Sequence, residues 1–551
     1  MKKLGWAAGL LAAGMLAAGC GGGGSSSGGS SNPPPPSAPT VTATSPSAGA
    51  TGVALNTTVT ATFSEAMSTT SITTSTFTLT ASNNAQMTGA VSYSAGTLTA
   101  TFTPAAELSS GTTYTAQLTS AVKSSSGTAL AAYSWSFTTA ASTPAGTATV
   151  DFGTPGQVIR GFGGSEAWSG VMPSSQIASL YGTASGDLGL TIMRVRIAPT
   201  TWNSTAQTAD TSAWTAELTN GKAAQDMGAI VFASPWTPPA SMKSNNSVNE
   251  GSLNASSYAD YAAYLEAYVN YAASLNVNLY GISMQNEPDW DPCGSGGPTA
   301  SSCYESCLWT ATQMDTWVAD NSSVLTTRLI MPESFYFSSA MSDPSLNDPN
   351  AESKIAIVGG HLYGSVPYYY TLAESLNKDV WMTEHTVNLA SGETTTQSIA
   401  DALAAATEIH NSMTVGQYNA YVYWWMVNSS GLSYYSGLLD TSGDMTYFGA
   451  ALAQYSLFVR PGYVRYSATA NPAAGVYVSA YAGNGHQTIV AINTNPTDAA
   501  VAFTIENQSI SSLTPYQTTS AAKLAQQPAV TVSGNQFTYT LPAQSITTLV
   551  Q

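Results

Sequence analysis

The sequence predicts a multidomain protein in which a (β/α)8 (TIM) barrel carries a C-terminal side β-sandwich and is preceded by an N-terminal β-sandwich. From Val150 onward, apolar strand-like runs alternate with helical patterns, and eight such strands can be counted over roughly 300 residues. On either side of this region, short runs alternate apolar and polar residues and are separated by turn residues, as in β-sandwiches. A chain of 551 residues is long enough for two or three such domains.

The barrel prediction depends on its strands and on one clear helix. Five tyrosines recur at spacings of three and four between Ser256 and Leu275, which marks one face of a helix that packs against the barrel. The predicted barrel strands are residues 159–164, 191–197, 229–234, 279–285, 328–331, 355–361, 380–383 and 420–426.

Composition changes along the chain predict the domain boundaries. The predicted segments are a signal peptide at 1–20, a Gly/Ser/Pro linker at 21–39, an N-terminal sandwich at 40–140, the barrel at 148–456 and the side sandwich at 457–551, which also takes a strand near 148–152.

The N-terminus has the pattern of an export signal. Lys2 and Lys3 precede a short apolar run at 6–18, which is too short to span a membrane stably. The following Leu16-Ala17-Ala18-Gly19-Cys20 resembles a lipobox, which predicts lipidation of Cys20 and anchoring at the cell surface or outer membrane, with no other membrane contact. Because Ala17 stands where lipoboxes more often have Leu, simple secretion remains the alternative.

Charge and composition exclude several function classes. The formal net charge of −17 repels phosphate backbones, so we expect no nucleic acid partner. The 29 tyrosines and 12 tryptophans suit neutral, polyhydroxylated ligands. Four histidines without an HExxH pattern argue against a metal hydrolase, and we expect no metal, no cofactor and a monomer.

Three cysteines follow closely after the fourth predicted strand: Cys293, Cys303 and Cys307. An odd number leaves at least one unpaired, and we expect one disulfide that pins a loop, with the pair left open. A zinc site is a weaker alternative because the segment contains no histidine.

Two glutamates follow predicted strands of the barrel. Glu287, in Asn286-Glu287-Pro288, follows the fourth strand, and Glu384 follows the seventh, so both should reach the rim where barrel active sites lie. Either one alone could simply cap a helix. Together they form the carboxylate pair that glycoside hydrolysis requires, and a separation of about 5–5.5 Å would give retention of configuration.

Seven ordered segments spread over about 400 residues resemble glycoside hydrolase family 30, and most closely its bacterial xylanase branch. They are Gly161-Phe-Gly-Gly164, Ile192-Met-Arg-Val-Arg-Ile197, Ala233-Ser-Pro-Trp-Thr-Pro-Pro239, Ser283-Met-Gln-Asn-Glu-Pro-Asp289, His361-Leu-Tyr-Gly364, Trp381-Met-Thr-Glu-His385 and Leu541-Pro-Ala-Gln-Ser-Ile-Thr-Thr-Leu549. Residues 40–140 resemble bacterial Ig-like domains, which implies a spacer or a binding module, through Ser45-Pro46, Phe63-Ser-Glu-Ala-Met67 and Trp135-Ser-Phe-Thr-Thr139.

The family resemblance implies roles for the residues at the strand ends. Glu287 would be the acid/base and Glu384 the nucleophile. Arg194 would keep Glu384 ionised, Tyr363 would hydrogen-bond it, and Asn286 would donate to the sugar 2-hydroxyl.

Two tryptophans complete the expected site. Trp236 and Trp424 stand at strand ends and would wall the subsite for the reacting sugar, although barrel packing would explain them as well. His361 would fix the side chains near it.

The substrate hypothesis turns on Asn428. Glucuronoxylan-specific members of the family carry an Arg and a Tyr where Asn428 and Ser430 stand, and a neutral amide cannot form the bidentate ion pair with glucuronate. The sequence therefore predicts a surface-anchored endo-β-1,4-xylanase without strict glucuronate dependence. The alternatives are a hydrolase of β-1,6-glucan or β-glucosides, and a non-catalytic glycan-binding surface protein.

Overall fold

The computed structural model describes residues 37–82, 85–140, 146–299, 301, 303–387, 397–427 and 436–551. The chain divides into two compact units, Met1–Ser142 and Thr143–Gln551. Cys20, Asn428 and Ser430 lie outside the described residues, so the predictions made for them remain predictions. Within the described ranges, no helix combines the length and the apolar character needed to cross a bilayer.

The first unit is a β-sandwich, as predicted. One sheet has the spatial order Val41–Ser45, Val59–Phe63, Thr99–Pro104 and Gly89–Ser94, and the other has Phe77–Ala81, Thr113–Leu118 and Tyr133–Thr138; a short 3-10 turn lies at Thr69–Ser71. Alternate strand residues point inward, so that Phe77, Phe102 and Trp135 pack ring against ring in the core between the sheets.

The second unit contains a closed barrel of parallel strands in chain order, which confirms the predicted barrel. Its interior is filled by side chains from several of these strands, including Ile192, Phe232, Ile330 and Trp381. We number the barrel strands one to eight: Gly161–Ser165, Ile192–Ile197, Ile230–Pro235, Leu279–Ser283, Arg328–Ser334, Ile355–His361, Asp379–Glu384 and Ala420–Tyr423.

Helices surround the barrel. The predicted Tyr-rich helix is Tyr258–Ser274, an Ala-rich segment without internal Gly or Pro, and four of its five tyrosines are buried against the barrel, which confirms their packing role. The other α-helices are Ser174–Tyr181, Thr215–Asp226, Ala311–Asn321, Ser339–Asn347, Pro349–Glu352, Thr371–Ser375, Ile399–Thr414 and Tyr447–Ser456. Short 3-10 turns occur at Thr211–Trp214, Ala240–Met242, Ala255–Ser257, Gly294–Thr299 and Ser322–Val324, and a small hairpin joins Trp202–Asn203 to Thr208–Ala209.

The glycine-rich motif lies inside strand one. A Cβ atom on Gly163 would come within 2.1 Å of the backbone oxygen of Ile192 on strand two. Any larger residue would therefore push these paired strands apart, which explains the glycine through close backbone packing.

The side β-domain is built from both ends of the second unit. Gly146–Val158, which precedes the barrel, pairs antiparallel with Val464–Ala468 and parallel with Ala499–Glu506, and the sheet has its own apolar core. The spatial order is Ala525–Gln526, Ser512–Thr518, Ser545–Val550, His486–Asn493, Val476–Gly483, Val464–Ala468, Gly146–Val158, Ala499–Glu506 and Gln536–Leu541, with Val530–Thr531 pairing beside Ser512–Thr518.

A disulfide joins Cys293 to Cys303 in the loop that follows strand four, and Cys307 is a buried free thiol. The predicted loop staple is confirmed, and the structure identifies the pair that the sequence left open. Closing this loop restricts the chain next to Glu287.

Candidate active site

Glu287 stands just beyond strand four in an unusual backbone conformation. Its φ of +49° lies in the left-handed region, which costs a non-glycine residue about 1–3 kcal/mol. Hydrogen bonds to neighbouring strands hold it there: Asn286 N–H donates to the Pro235 carbonyl at 2.8 Å, and Glu287 N–H donates to the Glu333 carbonyl at 3.0 Å. The strained turn is thus fixed by strands three and five and directs the carboxyl group into the barrel mouth.

Glu384 ends strand seven, and two donors hold its carboxylate. The Tyr363 hydroxyl donates to Oε1 at 2.9 Å, and Arg194 Nη1 donates to Oε2 at 2.5 Å. Because each oxygen accepts from a different donor, the carboxylate is held in one orientation.

The structure brings the two glutamates and His361 together. One carboxylate oxygen of each glutamate and a ring nitrogen of His361 all lie within 4.8 Å of one another. His361 Nδ1 is 3.1 Å from Glu287 Oε1 and 3.9 Å from Glu384 Oε1. Carboxyl groups about 5–5.5 Å apart are typical of retaining glycosidases, and wider separations are typical of inverting ones. The observed separation therefore fits a mechanism in which one carboxylate attacks the sugar directly while the other carboxyl group protonates the leaving oxygen.

Burial shifts the acid–base properties of this cluster. Burial raises the pKa of Glu287 to about 7, although the Tyr304 hydroxyl and Arg194 partly oppose the rise. Burial also raises the pKa of Glu384, while the charge of Arg194 and the hydrogen bond from Tyr363 oppose that rise. Below about pH 7, Glu287 therefore holds a proton, as a general acid must. Arg194 limits the rise at Glu384, whereas the sequence suggested that it would dominate there.

His361 remains neutral beside the two glutamates. Burial lowers the pKa of its imidazole to about 4. Its Nε2 has no hydrogen-bond partner among the residues that the structure describes. A neutral ring can exchange a hydrogen bond with Glu287 without adding a charge to the site.

Arg194 lies beneath the cleft rather than on its wall. It is fully buried, donates from Nη2 to Asn286 Oδ1 at 2.6 Å, and lies 3.3 Å from Glu333 Oε1. Although burial pushes the pKa of Glu333 upward, Arg194 and the hydrogen bond from the Ser234 hydroxyl bring it below its usual range. Arg194 thus orients the Asn286 amide and shares its charge between two carboxylates.

The cleft above the glutamates has a volume of about 610 Å³. Its walls include three of the aromatic residues predicted from sequence, and four others that sequence reasoning missed. The predicted residues are Trp236, Tyr363 and Trp424, and the missed ones are Trp168, Tyr304, Phe335 and Trp425.

Three tryptophans meet edge to face or at a tilt along one wall. The Trp168 ring lies 5.2 Å from Trp236 and 6.0 Å from Trp424, and Trp236 lies 5.8 Å from Trp424. Trp168 is 42% exposed, which leaves ring surface open to a ligand. An apolar wall beside a carboxylate pair suits a sugar ring, whose C–H faces pack on aromatic surfaces while its hydroxyls reach polar groups.

Tyr304 is the most informative of the missed residues. Its hydroxyl donates to Glu287 Oε2 at 2.9 Å. The signal available in the sequence was its place directly after Cys303, in the loop that follows strand four. Trp168 and Trp425 had a weaker signal, since each lies a few residues past a strand end.

The same cluster has the spacing of a cation site, since the Glu287, His361 and Glu384 ligand atoms are close enough to share an ion. Both Glu384 oxygens already accept from Arg194 and Tyr363, and the Arg194 cation would repel a metal. We therefore still expect a site that works without a metal ion, and activity after dialysis against EDTA tests this.

Both units of the chain are similar to known proteins. Residues 36–139 match the family model described as Bacterial Ig-like domain. Glucuronoxylanase XynC of Bacillus subtilis strain 168 is 37% identical over 413 residues, which cover 73% of this chain and 91% of that protein.

Two solved structures are similar over the same part of the chain. The glycoside hydrolase family 30 subfamily 8 xylanase Xyn30A from Clostridium acetobutylicum is 40% identical with a TM-score of 0.66, and the match covers 73% of this chain and 99% of that one. The GH30 endoxylanase from Clostridium papyrosolvens C71 is 39% identical with a TM-score of 0.64 and the same coverage.

Proposed function

The chain belongs to glycoside hydrolase family 30, and on that basis we propose that it is a retaining endo-β-1,4-xylanase. The observation that carries this proposal is the approach of Glu287 and Glu384 to within 4.8 Å at the carboxyl ends of strands four and seven. In the first step, Glu384 attacks the anomeric carbon as nucleophile while Glu287 protonates the departing glycosidic oxygen. The C–O bond to the leaving sugar breaks and a glycosyl ester to Glu384 forms.

The second step reverses the role of Glu287. Formation of the ester removes the negative charge of Glu384, which favours the ionised form of Glu287. Glu287 then takes a proton from water as the water oxygen attacks the anomeric carbon, and Glu384 departs as a carboxylate. Two inversions at the same carbon give net retention.

Neighbouring side chains support these steps. Tyr363 and Arg194 stabilise the Glu384 carboxylate before attack and after its release. Asn286, oriented by Arg194, is suited to hydrogen-bond the sugar 2-hydroxyl, a contact that strengthens as the ring flattens. The tryptophan wall would hold the reacting sugar.

One observation supports xylan as the substrate, and two others support the absence of a strict dependence on glucuronate. The relatives that match over nearly their whole length are named glucuronoxylanase and xylanase, which supports xylan. The acidic chain, with a net charge of −17, offers no general attraction for a carboxylate-bearing branch. Asn428 replaces the arginine that would pair with glucuronate.

Assays on purified protein dialysed against EDTA test the proposal. We expect reducing-end release from β-1,4-xylan, with mixed oligosaccharide products and a β-anomer as the first product by NMR. Plain xylan and glucuronoxylan should differ in kcat/KM by less than about tenfold, since loss of a needed bidentate ion pair costs at least that much. Binding without cleavage, cleavage of β-1,6-glucan or β-glucosides alone, an α-anomer, or restoration by added divalent metal would contradict the proposal.

We further propose that the protein is exported as a monomer, that Cys20 carries its lipid anchor, and that the Ig-like domain separates the barrel from the cell surface or binds glycan there. The lipobox-like sequence and the adjacent Gly/Ser/Pro linker support this arrangement. Labelling cells with a radioactive fatty acid should mark the wild type and not Cys20→Ser. Equal labelling would exclude the Cys20 anchor, and no labelling of either would favour simple secretion.

A further inference from the structure

We infer that the ion pair between Arg196 and Glu305 positions two parts of the cleft. One is Tyr304, which hydrogen-bonds the proposed acid/base Glu287, and the other is Trp168 in the tryptophan wall. This role deepens the proposed function and rests on it. Arg196 would then be a positioning residue, because it acts through Tyr304 and Trp168 rather than on the substrate.

Arg196 lies two residues beyond Arg194 on strand two, so both side chains point to the same side of the strand, with Arg196 nearer the rim. Its guanidinium binds both oxygens of Glu305: Nε donates to Oε2 at 2.9 Å, and Nη2 donates to Oε1. Nη1 lies 3.3 Å from Glu217 Oε1. The Arg196 side chain is 9% exposed and that of Glu305 is 19% exposed, so this bidentate pair is largely shielded from water and salt.

One arm of the Arg196–Glu305 pair reaches the acid/base. Glu305 directly follows Tyr304, the residue whose hydroxyl donates to Glu287 Oε2 at 2.9 Å. The disulfide between Cys293 and Cys303 restrains the chain just before Tyr304, and the Arg196 pair restrains it just after. Tyr304 is therefore held between two fixed points, which sets the direction of its hydrogen bond.

The other arm reaches the tryptophan wall. The Arg196 guanidinium lies 4.8 Å from the centre of the Trp168 ring, a cation–π distance. Glu217 also binds Arg196, and although burial raises the pKa of its carboxyl to about 7, Arg196 and the nearby Trp168 backbone oppose that rise. The backbone of Trp168 has a left-handed φ of +61°, so external contacts are needed to hold it.

A contribution to the stability of the fold does not by itself explain why these contacts are present. Placing a guanidinium and a carboxylate in a buried position has a large desolvation cost, and apolar residues of similar volume are often as stabilising. What an apolar pair would lack is the fixed bidentate geometry, which here joins two walls of the same cleft.

The hydrogen bond from Tyr304 makes the effect of the Arg196–Glu305 pair measurable in the pH profile of the enzyme. Its hydrogen bond favours the ionised form of Glu287 and so lowers the pKa of that carboxyl. Misplacing Tyr304 should therefore move the basic limb of the kcat/KM profile to higher pH, by about one unit. The other titratable or charged groups that face Glu287 are Arg194, Asp289, Glu333, His361 and Glu384.

Arg196→Gln and Glu305→Gln distinguish positioning from simple electrostatics. Loss of the cation would by itself raise the pKa of Glu287, whereas loss of the anion would lower it. If the pair positions Tyr304, both variants move the basic limb upward and both raise KM through Trp168.

The decisive measurement is the pH profile of kcat/KM on xylan for both variants, alone and combined with Tyr304→Phe. We expect Tyr304→Phe to shift the basic limb upward by about one unit, and the second substitution to add almost nothing. Arg160→Gln is the matched control, because it breaks another arginine–carboxylate pair, with Asp379 at the start of strand seven, and should leave the limb in place. Opposite shifts for the two variants, or full additivity with Tyr304→Phe, would overturn the inference.

Two further variants keep the test decisive. Arg196→Gln could fail to fold, because Glu217 and Glu305 lose their partner. In that case Arg196→Lys replaces it, since lysine keeps the charge without the bidentate geometry. If the basic limb of the kcat/KM profile is unshifted in both Arg196→Lys and Glu305→Gln, the inference is overturned. Glu287→Gln separates the two levels: if that variant cleaves xylan normally, the proposed function fails, whereas an inactive Glu287→Gln with unshifted pair variants refutes only the positioning role.

Discussion

Glu384→Gln is expected to lower kcat on xylan by on the order of 10⁴-fold or more, because no covalent intermediate can form without the nucleophile. The amide is nearly isosteric, so Tyr363 and the fold around it should be preserved, although Arg194 loses a charged partner. Initial-rate assays on xylan, with circular dichroism to confirm folding, measure the effect.

Chemical rescue identifies the role of Glu384. In Glu384→Ala, azide can enter the space left by the carboxylate and attack an activated aryl xyloside from that face, which gives the α-xylosyl azide. Glu374→Gln, an exposed glutamate on the helix Thr371–Ser375, is the matched control and should behave as wild type. Xylan turnover close to wild type in Glu384→Gln, or a β-azide from Glu384→Ala, would disprove the nucleophile assignment.

Glu287→Gln should lower kcat on xylan by about 10²- to 10⁴-fold, the usual contribution of a general acid. Because burial raises the pKa of Glu287 to about 7, wild-type kcat/KM should fall as the pH rises through 7 and the acid loses its proton. The variant has no proton to lose there, so this basic limb should disappear. Complete pH profiles of both proteins measure the effect.

The leaving group provides the control for the acid/base assignment. Aryl xylosides with acidic phenols need little protonation, so the first step on them should be far less affected than on xylan. Azide added to Glu287→Ala should attack the glycosyl ester and give the β-xylosyl azide, the opposite product to that of Glu384→Ala. A basic limb that persists near pH 7 in Glu287→Gln would show that another group supplies the proton.

The barrel was predictable because its strands are buried on both faces and so read as apolar runs. Strand six was predicted with the observed bounds, Ile355–His361. Strand eight was predicted to reach Met426, yet it ends at Tyr423, because Trp425 takes a left-handed φ of +51° and its indole donates to Ala167 near strand one. Local pattern could not reveal a turn that depends on a contact with a distant part of the chain.

The carboxylate pair was predictable for a similar reason, since each glutamate follows a recognisable strand and parallel strands deliver their ends to one rim. Tyr304 and Trp168 lie instead in loops, and their positions depend on a disulfide and on Arg196 rather than on any periodic pattern. The pKa of Glu384 also escaped sequence reasoning, because the charge of Arg194 was visible in the motif while the extent of burial was not.

The strand Gly146–Val158 limits how the catalytic unit can be transferred from one protein to another by recombination. It precedes the barrel, yet it pairs with strands that follow the barrel, so the side domain is completed only after the last residues are in place. A gene fragment ending at the barrel would leave this strand without its neighbours and expose the apolar core of the side domain. Residues 146–551 therefore form a unit that recombination could move intact, whereas the Ig-like domain shares no sheet with this unit among the described residues.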